Sequence, residues 1–119
     1  VIDCGTDGPD TVDYPDIAAA VGKSVTRGEV DAGIVIDGSG LGSAMAANKI
    51  KGVRAAMSLT VTLARYSREH NGANVLALGS SLVDSSAAIA MVDAWLSTPM
   101  REARYLRRLL KVRRLEERF

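Results

Sequence analysis

The sequence predicts an α/β fold: a three-layer, open, mostly parallel sheet of Rossmann-like type with helices on both faces. Three observations predict it. Apolar runs of strand length alternate with segments of helical period along the whole chain. The run Ala32–Ile36 (AGIVI) is continuous rather than alternating, the pattern of a strand buried on both faces of a parallel sheet. The connections are short, as crossover units require.

Taken in order, Val1–Cys4 reads as the end of a strand, followed by a Gly/Pro/Asp loop through Asp10. Asp13-Tyr14-Pro15-Asp16 starts a helix, with Pro in its first turn and an acidic side chain near the positive dipole end, running to Arg27-Gly28. Ala32–Ile36 is the next strand, and the loop Gly38-Ser39-Gly40-Leu41-Gly42 leads into a helix over Ser43–Lys49. Val53–Met57 and Asn74–Leu78 read as strands, with helices over Thr60–His70 and Ser85–Leu96. Thr98-Pro99 breaks the chain before a long final helix, from about Met100 to Arg118. The reading is one domain over residues 1–119, with 99–118 its basic C-terminal helix. The chain opens without a Met, inside what reads as a strand, so a preceding segment is expected.

Composition narrows the function classes. At 119 residues, 47% hydrophobic and 24% charged, the chain has the balance of a folded domain and no apolar run long enough to span a membrane. One cysteine (Cys4) and one histidine (His70) exclude an internal disulfide and a Cys/His zinc cluster. The lone cysteine and the absence of a signal-peptide pattern fit a cytoplasmic location. The net charge of +1 hides a split: residues 101–118 hold eight basic and three acidic side chains, a net +5, which leaves −4 on the rest. Such a helix points to an anionic ligand or a subunit contact. It lacks the interleaved aromatics of a nucleic-acid binder, because its charges alternate with leucines.

The most informative segment is Ile34–Ser43. Its alternate glycines allow close backbone approach, and the following helix offers free N–H groups. The spacing is neither a dinucleotide fingerprint nor a phosphate-binding P-loop. Two readings stand: a tight strand-to-helix turn, or a cradle for an oxyanion or phosphate. Asp37, ending an apolar strand, has two compatible readings: it caps the N–H groups of Gly40 or Leu41, and it acts as a general base.

Together these residues resemble a known family. Asp13-Tyr14-Pro15-Asp16, GIVIDGSGLG, Ala46-Ala47-Asn48-Lys49, Gly52-Val53-Arg54-Ala55-Ala56, Ser67-Arg68-Glu69-His70-Asn71, Ala73–Gly79 and Val92-Asp93-Ala94-Trp95-Leu96 are similar to segments of type B ribose-5-phosphate isomerases and galactose-6-phosphate isomerase subunits. The resemblance implies aldose–ketose interconversion of a sugar phosphate through an enediolate, with no metal or organic cofactor. It implies Asp37 as the base, where the ribose enzymes usually carry Cys and the A-type galactose-6-phosphate subunit carries Asp. Gly38, Gly40 and Gly42 would form the oxyanion cradle, with the Ser39 hydroxyl as an added donor. His70 would open the sugar ring, with Asn71 and Tyr14 binding substrate. Arg104 and Arg108, one helical turn apart, would grip the phosphate; Tyr105 stands where the family pattern has His. Read without the family, His70 is a surface helix terminus and Tyr14 a helix-start aromatic packed on the sheet.

Arg101, Arg107, Arg113 and Arg114 read as a solvated face, and Leu106, Leu109, Leu110 and Leu115 as an apolar stripe for a dimer or core contact. The resemblance implies a homodimer or dimer of dimers, with His70, Asn71 and the arginine helix facing the neighbour's glycine loop. Three departures are visible: the family's opening strand and helix have no counterpart, Ser81 replaces an Arg, and Asp37 replaces Cys. The Ser81 and Asp37 departures lean toward the A-type galactose-6-phosphate subunit, whereas Arg68-Glu69-His70-Asn71 and Ala47-Asn48-Lys49 lean toward the ribose enzymes; the first-choice substrate is ribose 5-phosphate. Another phosphosugar such as galactose 6-phosphate, or a non-catalytic sugar-phosphate-binding or assembly module on the same fold, are the alternatives.

Overall fold

The computed structural model describes residues 1–119. Five helices and three strands follow one another as α1 (Tyr14–Thr26), β1 (Gly33–Asp37), α2 (Leu41–Ala47), β2 (Ala55–Met57), α3 (Val61–Glu69), β3 (Val75–Gly79), α4 (Ser85–Ser97) and α5 (Ala103–Arg118). The sheet is wholly parallel, in the order β1-β3-β2. The chain moves from β1 across to β2, then reverses to insert β3 between them. Right-handed crossovers require the helix to change faces when the direction reverses. The packing follows that rule: α1 and α2 lie on one face, α3 and α4 on the other.

Each face has its own core, divided by the two-residue period of β3 (VLALG), which is buried throughout. Val75 and Ala77 point to one side, with Ala18, Val35, Ala44, Ala47 and Val53. Leu76 and Leu78 point to the other, with Ala64, Ala73, Met91 and Trp95. Small alanines at these contacts let the helices approach the sheet closely. Thr60 and Asp84 cap α3 and α4, accepting hydrogen bonds from the N–H groups of Leu63 (3.0 Å) and Ala87 (2.8 Å).

Two side-chain amides finish the β2 edge. Asn48 bonds both ways with the backbone of Ala55: its Nδ2 donates to the carbonyl at 2.9 Å, and its Oδ1 accepts the N–H at 2.7 Å. Asn74 accepts from Arg54 N–H at 2.7 Å and donates to Gly52 O at 2.9 Å. Asn48 replaces ladder partners that this edge strand would otherwise lack, whereas Asn74 ties the residues entering β2 to the start of β3.

Two expectations are corrected. Val1–Cys4 is not a strand: no backbone hydrogen bond ties these residues to β1, and the sheet has three strands, not four. Nor is the AGIVI run buried on both faces. Val35 is 3% exposed, but Ile34 is 37% and Ile36 64% exposed, because β1 is an edge strand and α4, which covers β3 on that face, only flanks β1. These isoleucines, with Ile89 and Val92, line an apolar groove of about 240 Å³. No helix is long and apolar enough to cross a membrane.

Trp95 is the largest fully buried side chain. Arg68 locks it in place, with its guanidinium 4.7 Å from the ring centroid and bonds to Trp95 O (3.1 Å) and Ala73 O (2.9 Å). The indole Nε1 has no hydrogen-bond partner. Trp95→Ala is therefore expected to cost about 3–5 kcal/mol in urea denaturation followed by circular dichroism. Trp95→Phe is expected to cost clearly less, because no hydrogen bond is lost with the indole nitrogen.

Candidate active site

The glycine loop is built around Asp37. β1 delivers this residue to the carboxyl end of the sheet, opposite Gly79 of β3. Its Oδ1 accepts the Gly40 N–H and its Oδ2 accepts the Ser43 N–H at 3.1 Å, so the carboxylate braces the loop from inside. The capping role read from the sequence is thus realised on Gly40, and on Ser43 rather than Leu41. The Leu41 N–H bonds instead to Ser39 Oγ at 3.2 Å, which leaves that hydroxyl's hydrogen free to donate.

Gly40 has φ +83°, a conformation for which glycine is suited. The loop also rests on β3: a Cβ at Gly79 would lie 2.6 Å from Ser39 O. The strand-end segment after β3 is tied to it, with Ser80 N–H donating to Asp37 O (2.8 Å) and Ser81 N–H to Gly38 O (3.0 Å).

The cradle is narrower than expected, since Asp37 consumes the Gly40 N–H. The amides of Gly38, Ser39 and Gly42 have no acceptor within the chain. Tyr14, the first residue of α1, lies against this group: a Cβ at Gly42 would come within 2.6 Å of its Cζ and 2.9 Å of its hydroxyl oxygen. Tyr14, Asp37 and the loop therefore form one cluster.

The second cluster lies elsewhere. His70 ends α3, its backbone N–H bonded to Tyr66 O at 2.8 Å, and Gly72 turns the chain with φ +57°. His70, Asn71 and Arg108 line a cavity of about 970 Å³ between α5 and the β2 side of the sheet. Arg108 reaches this cavity but Arg104 does not: its Nε pairs with Glu102 at 2.6 Å and its Nη2 donates to the Tyr105 hydroxyl at 3.0 Å. That hydrogen bond, then the Glu102 charge, raises the Arg104 pKa above the usual arginine value. The two arginines do not converge on one point in this chain.

Sequence reasoning missed Arg54 and the place of Arg113 beside it; both line the cavity with Lys49 and Lys51. Arg113 is exposed, as the solvated-face reading expects, and also forms part of the cavity wall. Arg54 donates to Gly72 O at 2.9 Å; burial and then the Arg113 charge lower its pKa, with Glu116 acting in the opposite sense. Their signal in the sequence was only the excess of positive charge.

The two clusters lie at opposite ends of the sheet. The cradle follows the carboxyl end of β1, whereas His70 and Asn71 directly precede the amino end of β3. At about 3.3 Å per residue, a strand of β3's length holds them on the order of 15 Å apart. A single chain does not bring His70 to Asp37.

Solved structures share this architecture. Ribose-5-phosphate isomerase B of Clostridium thermocellum matches with a TM-score of 0.96 at 46% identity, covering 98% of this chain and 79% of that one. Ribose-5-phosphate isomerase B of Mycoplasma genitalium, solved with bound ribulose-5-phosphate, matches with a TM-score of 0.91 at 40% identity, covering 97% and 77%. Among known sequences, ribose-5-phosphate isomerase B of Escherichia coli (strain K12) is 42% identical over 118 residues, which is 99% of this chain and 79% of that protein. The class is thereby defined: an isomerase on a doubly wound α/β sheet. The family model described as Ribose/Galactose Isomerase matches residues 1–112, and the chain belongs to that family.

Proposed function

We propose that this chain is a sugar-phosphate isomerase that interconverts ribose 5-phosphate and ribulose 5-phosphate through an enediolate, without metal, in a site completed by a second copy of the chain. The observation that carries the reading is the separation of the two clusters. Three free amides and a braced carboxylate stand at one end of the sheet, while the histidine and a cationic cavity stand at the other. A two-fold dimer brings one protomer's cradle to its partner's cavity, twice over. Exposed apolar side chains support it: Leu41 and Met45 on α2 are 50% and 67% exposed, and α5 buries none of its residues.

In this reading His70 opens the furanose ring by moving a proton between the anomeric hydroxyl and the ring oxygen. Asp37 then takes the proton from C2 and returns it to C1, while the O2 hydroxyl proton passes to O1, so that the C1 carbonyl becomes a hydroxyl and C2 the carbonyl. Each of its oxygens accepts one amide and keeps a further lone pair, so the brace orients the base without consuming it. The Gly38, Ser39 and Gly42 amides, with the Ser39 hydroxyl, hold the charge that develops on the enediolate oxygen. Tyr14 and Asn71 bind sugar hydroxyls, and Arg108, joined by Arg104 once it leaves Glu102, holds the phosphate.

The test is subunit complementation. Asp37→Asn and His70→Asn proteins are each expected to be inactive on ribose 5-phosphate. Unfolded and refolded together, they should recover roughly a quarter of wild-type turnover, because half of a statistical mixture is mixed dimer with one intact site in two. No recovery would show that each site belongs to one chain.

A second reading, turnover of a different phosphosugar such as galactose 6-phosphate, is favoured by Ser81. This small side chain lies 3.9 Å from where a Gly38 Cβ would be and leaves room beside the cradle. Parallel assays with both sugars decide between them.

A further inference from the structure

The His70 imidazole lies between two tyrosine rings. Tyr66, one turn earlier on α3, stacks on it with centroids 4.6 Å apart and planes 19° apart. Tyr105 of α5 covers it at 4.6 Å with a tilt of 38°. The histidine side chain makes no hydrogen bond within the chain, so these rings are its contacts of known geometry. Such a stack covers the faces of the imidazole and leaves its edge, which carries both nitrogens, open toward the cavity it lines.

Tyr105 is itself held. Arg104 donates to its hydroxyl at 3.0 Å, and the guanidinium carbon lies 4.8 Å from the ring centroid. One turn further on, Leu109 packs against Gly72, where an added Cβ would lie 2.8 Å from Leu109 Cδ2. Further along the same face, Glu116 accepts the Gly52 N–H at 3.0 Å on each oxygen. Residues 105, 109 and 116 share one helical face, and that face seats α5 on the chain.

We propose that Tyr66 and Tyr105 are positioning residues: a two-ring clamp that holds His70 in one orientation at the mouth of the cavity and couples the seating of α5 to it. The kinetic part of this inference rests on the isomerase reading above; the clamp itself does not. An imidazole that hops between rotamers presents its nitrogens correctly only part of the time. Stacking removes that freedom without adding a charged partner.

Because His70 is the only histidine, its ring protons can be followed by NMR in untagged protein without ambiguity. Ring currents from the two tyrosines are expected to move both imidazole C–H resonances upfield of a free histidine. Tyr105→Leu should return them partway and lower kcat about tenfold with KM little changed, near the limit of what one aromatic pair contributes. Tyr105→Phe, which keeps the ring and loses the hydroxyl, should restore both readouts. Tyr66→Leu, which leaves α5 seated, should repeat the effect and covers the case in which Tyr105→Leu unseats the helix. Unshifted wild-type resonances overturn the clamp whatever activity is measured. A Tyr105→Leu protein with moved resonances and wild-type kcat overturns the positioning role. Shifted resonances in a protein that turns over no sugar phosphate uphold the clamp and remove the isomerase reading instead.

Discussion

Asp37→Asn is expected to lower kcat on the sugar-phosphate substrate by about 10²–10⁴-fold, the range for losing a positioned general base. The helical circular dichroism signal should persist. Stability should fall as well, for a separate reason. Asp37 accepts one backbone N–H on each oxygen, and an asparagine must turn its own NH₂ toward one of those donors. Leaving that amide unsatisfied costs about 1–3 kcal/mol, read as a lower Tm. Asp37→Cys separates the two roles, because a thiolate can take a proton but is a poor acceptor for two amides. Turnover partly recovered in the cysteine protein, with stability still reduced, is the expected pattern. Wild-type turnover in the asparagine protein would leave Asp37 as a brace only.

Gly79→Ala is expected to damage the same loop from below. The added Cβ would lie 2.6 Å from Ser39 O, 2.7 Å from Ser39 C and 3.0 Å from Ser39 Cα. All three are backbone atoms, so the conflict is resolved only by moving the cradle off β3. A displacement near 1 Å at donors aimed at a developing charge can cost about 100-fold in kcat. The overpacking itself costs about 1–3 kcal/mol. Gly8→Ala, whose added Cβ meets nothing within 4 Å, is the matched control and should change neither quantity. Equal activity in the two proteins would show that the cradle does not need its present seat.

Much of the architecture was legible in the sequence because the relevant forces are local. Alternating periods marked all five helices and three of the four expected strands, with boundaries displaced by at most three residues. Val1–Cys4 had the composition of a strand but makes no ladder bonds to the open edge of β1. Ile34 and Ile36 read as buried because apolarity reports a preference for burial, whereas burial itself needs a covering element. At the site, the glycine spacing allowed a tight turn or a cradle; the structure shows a turn braced by Asp37 in which the Gly38, Ser39 and Gly42 N–H groups have no acceptor. The capping of Gly40 by Asp37 was foreseeable from the short reach of an Asp side chain. The choice of Ser43 over Leu41 for the second bond depends on how the loop turns. The meeting of Arg54 and Arg113 was not legible because they are 59 residues apart and come together only where α5 lies along the β2 side.

The sequence by itself determined the α/β class, the order of the elements, the family and the identity of the chemical groups, since each is written in short-range pattern. Only the tertiary structure decided where those groups stand. It gave both Asp37 oxygens to backbone amides, left Gly38, Ser39 and Gly42 with free N–H groups, and turned Arg104 toward Glu102 while Arg108 faced the cavity. It also set His70 and Asp37 at opposite ends of a parallel sheet. The reason is directional: every crossover helix runs back against its strand, so a residue at the end of α3 returns to the amino edge while the loop after β1 stays at the carboxyl edge.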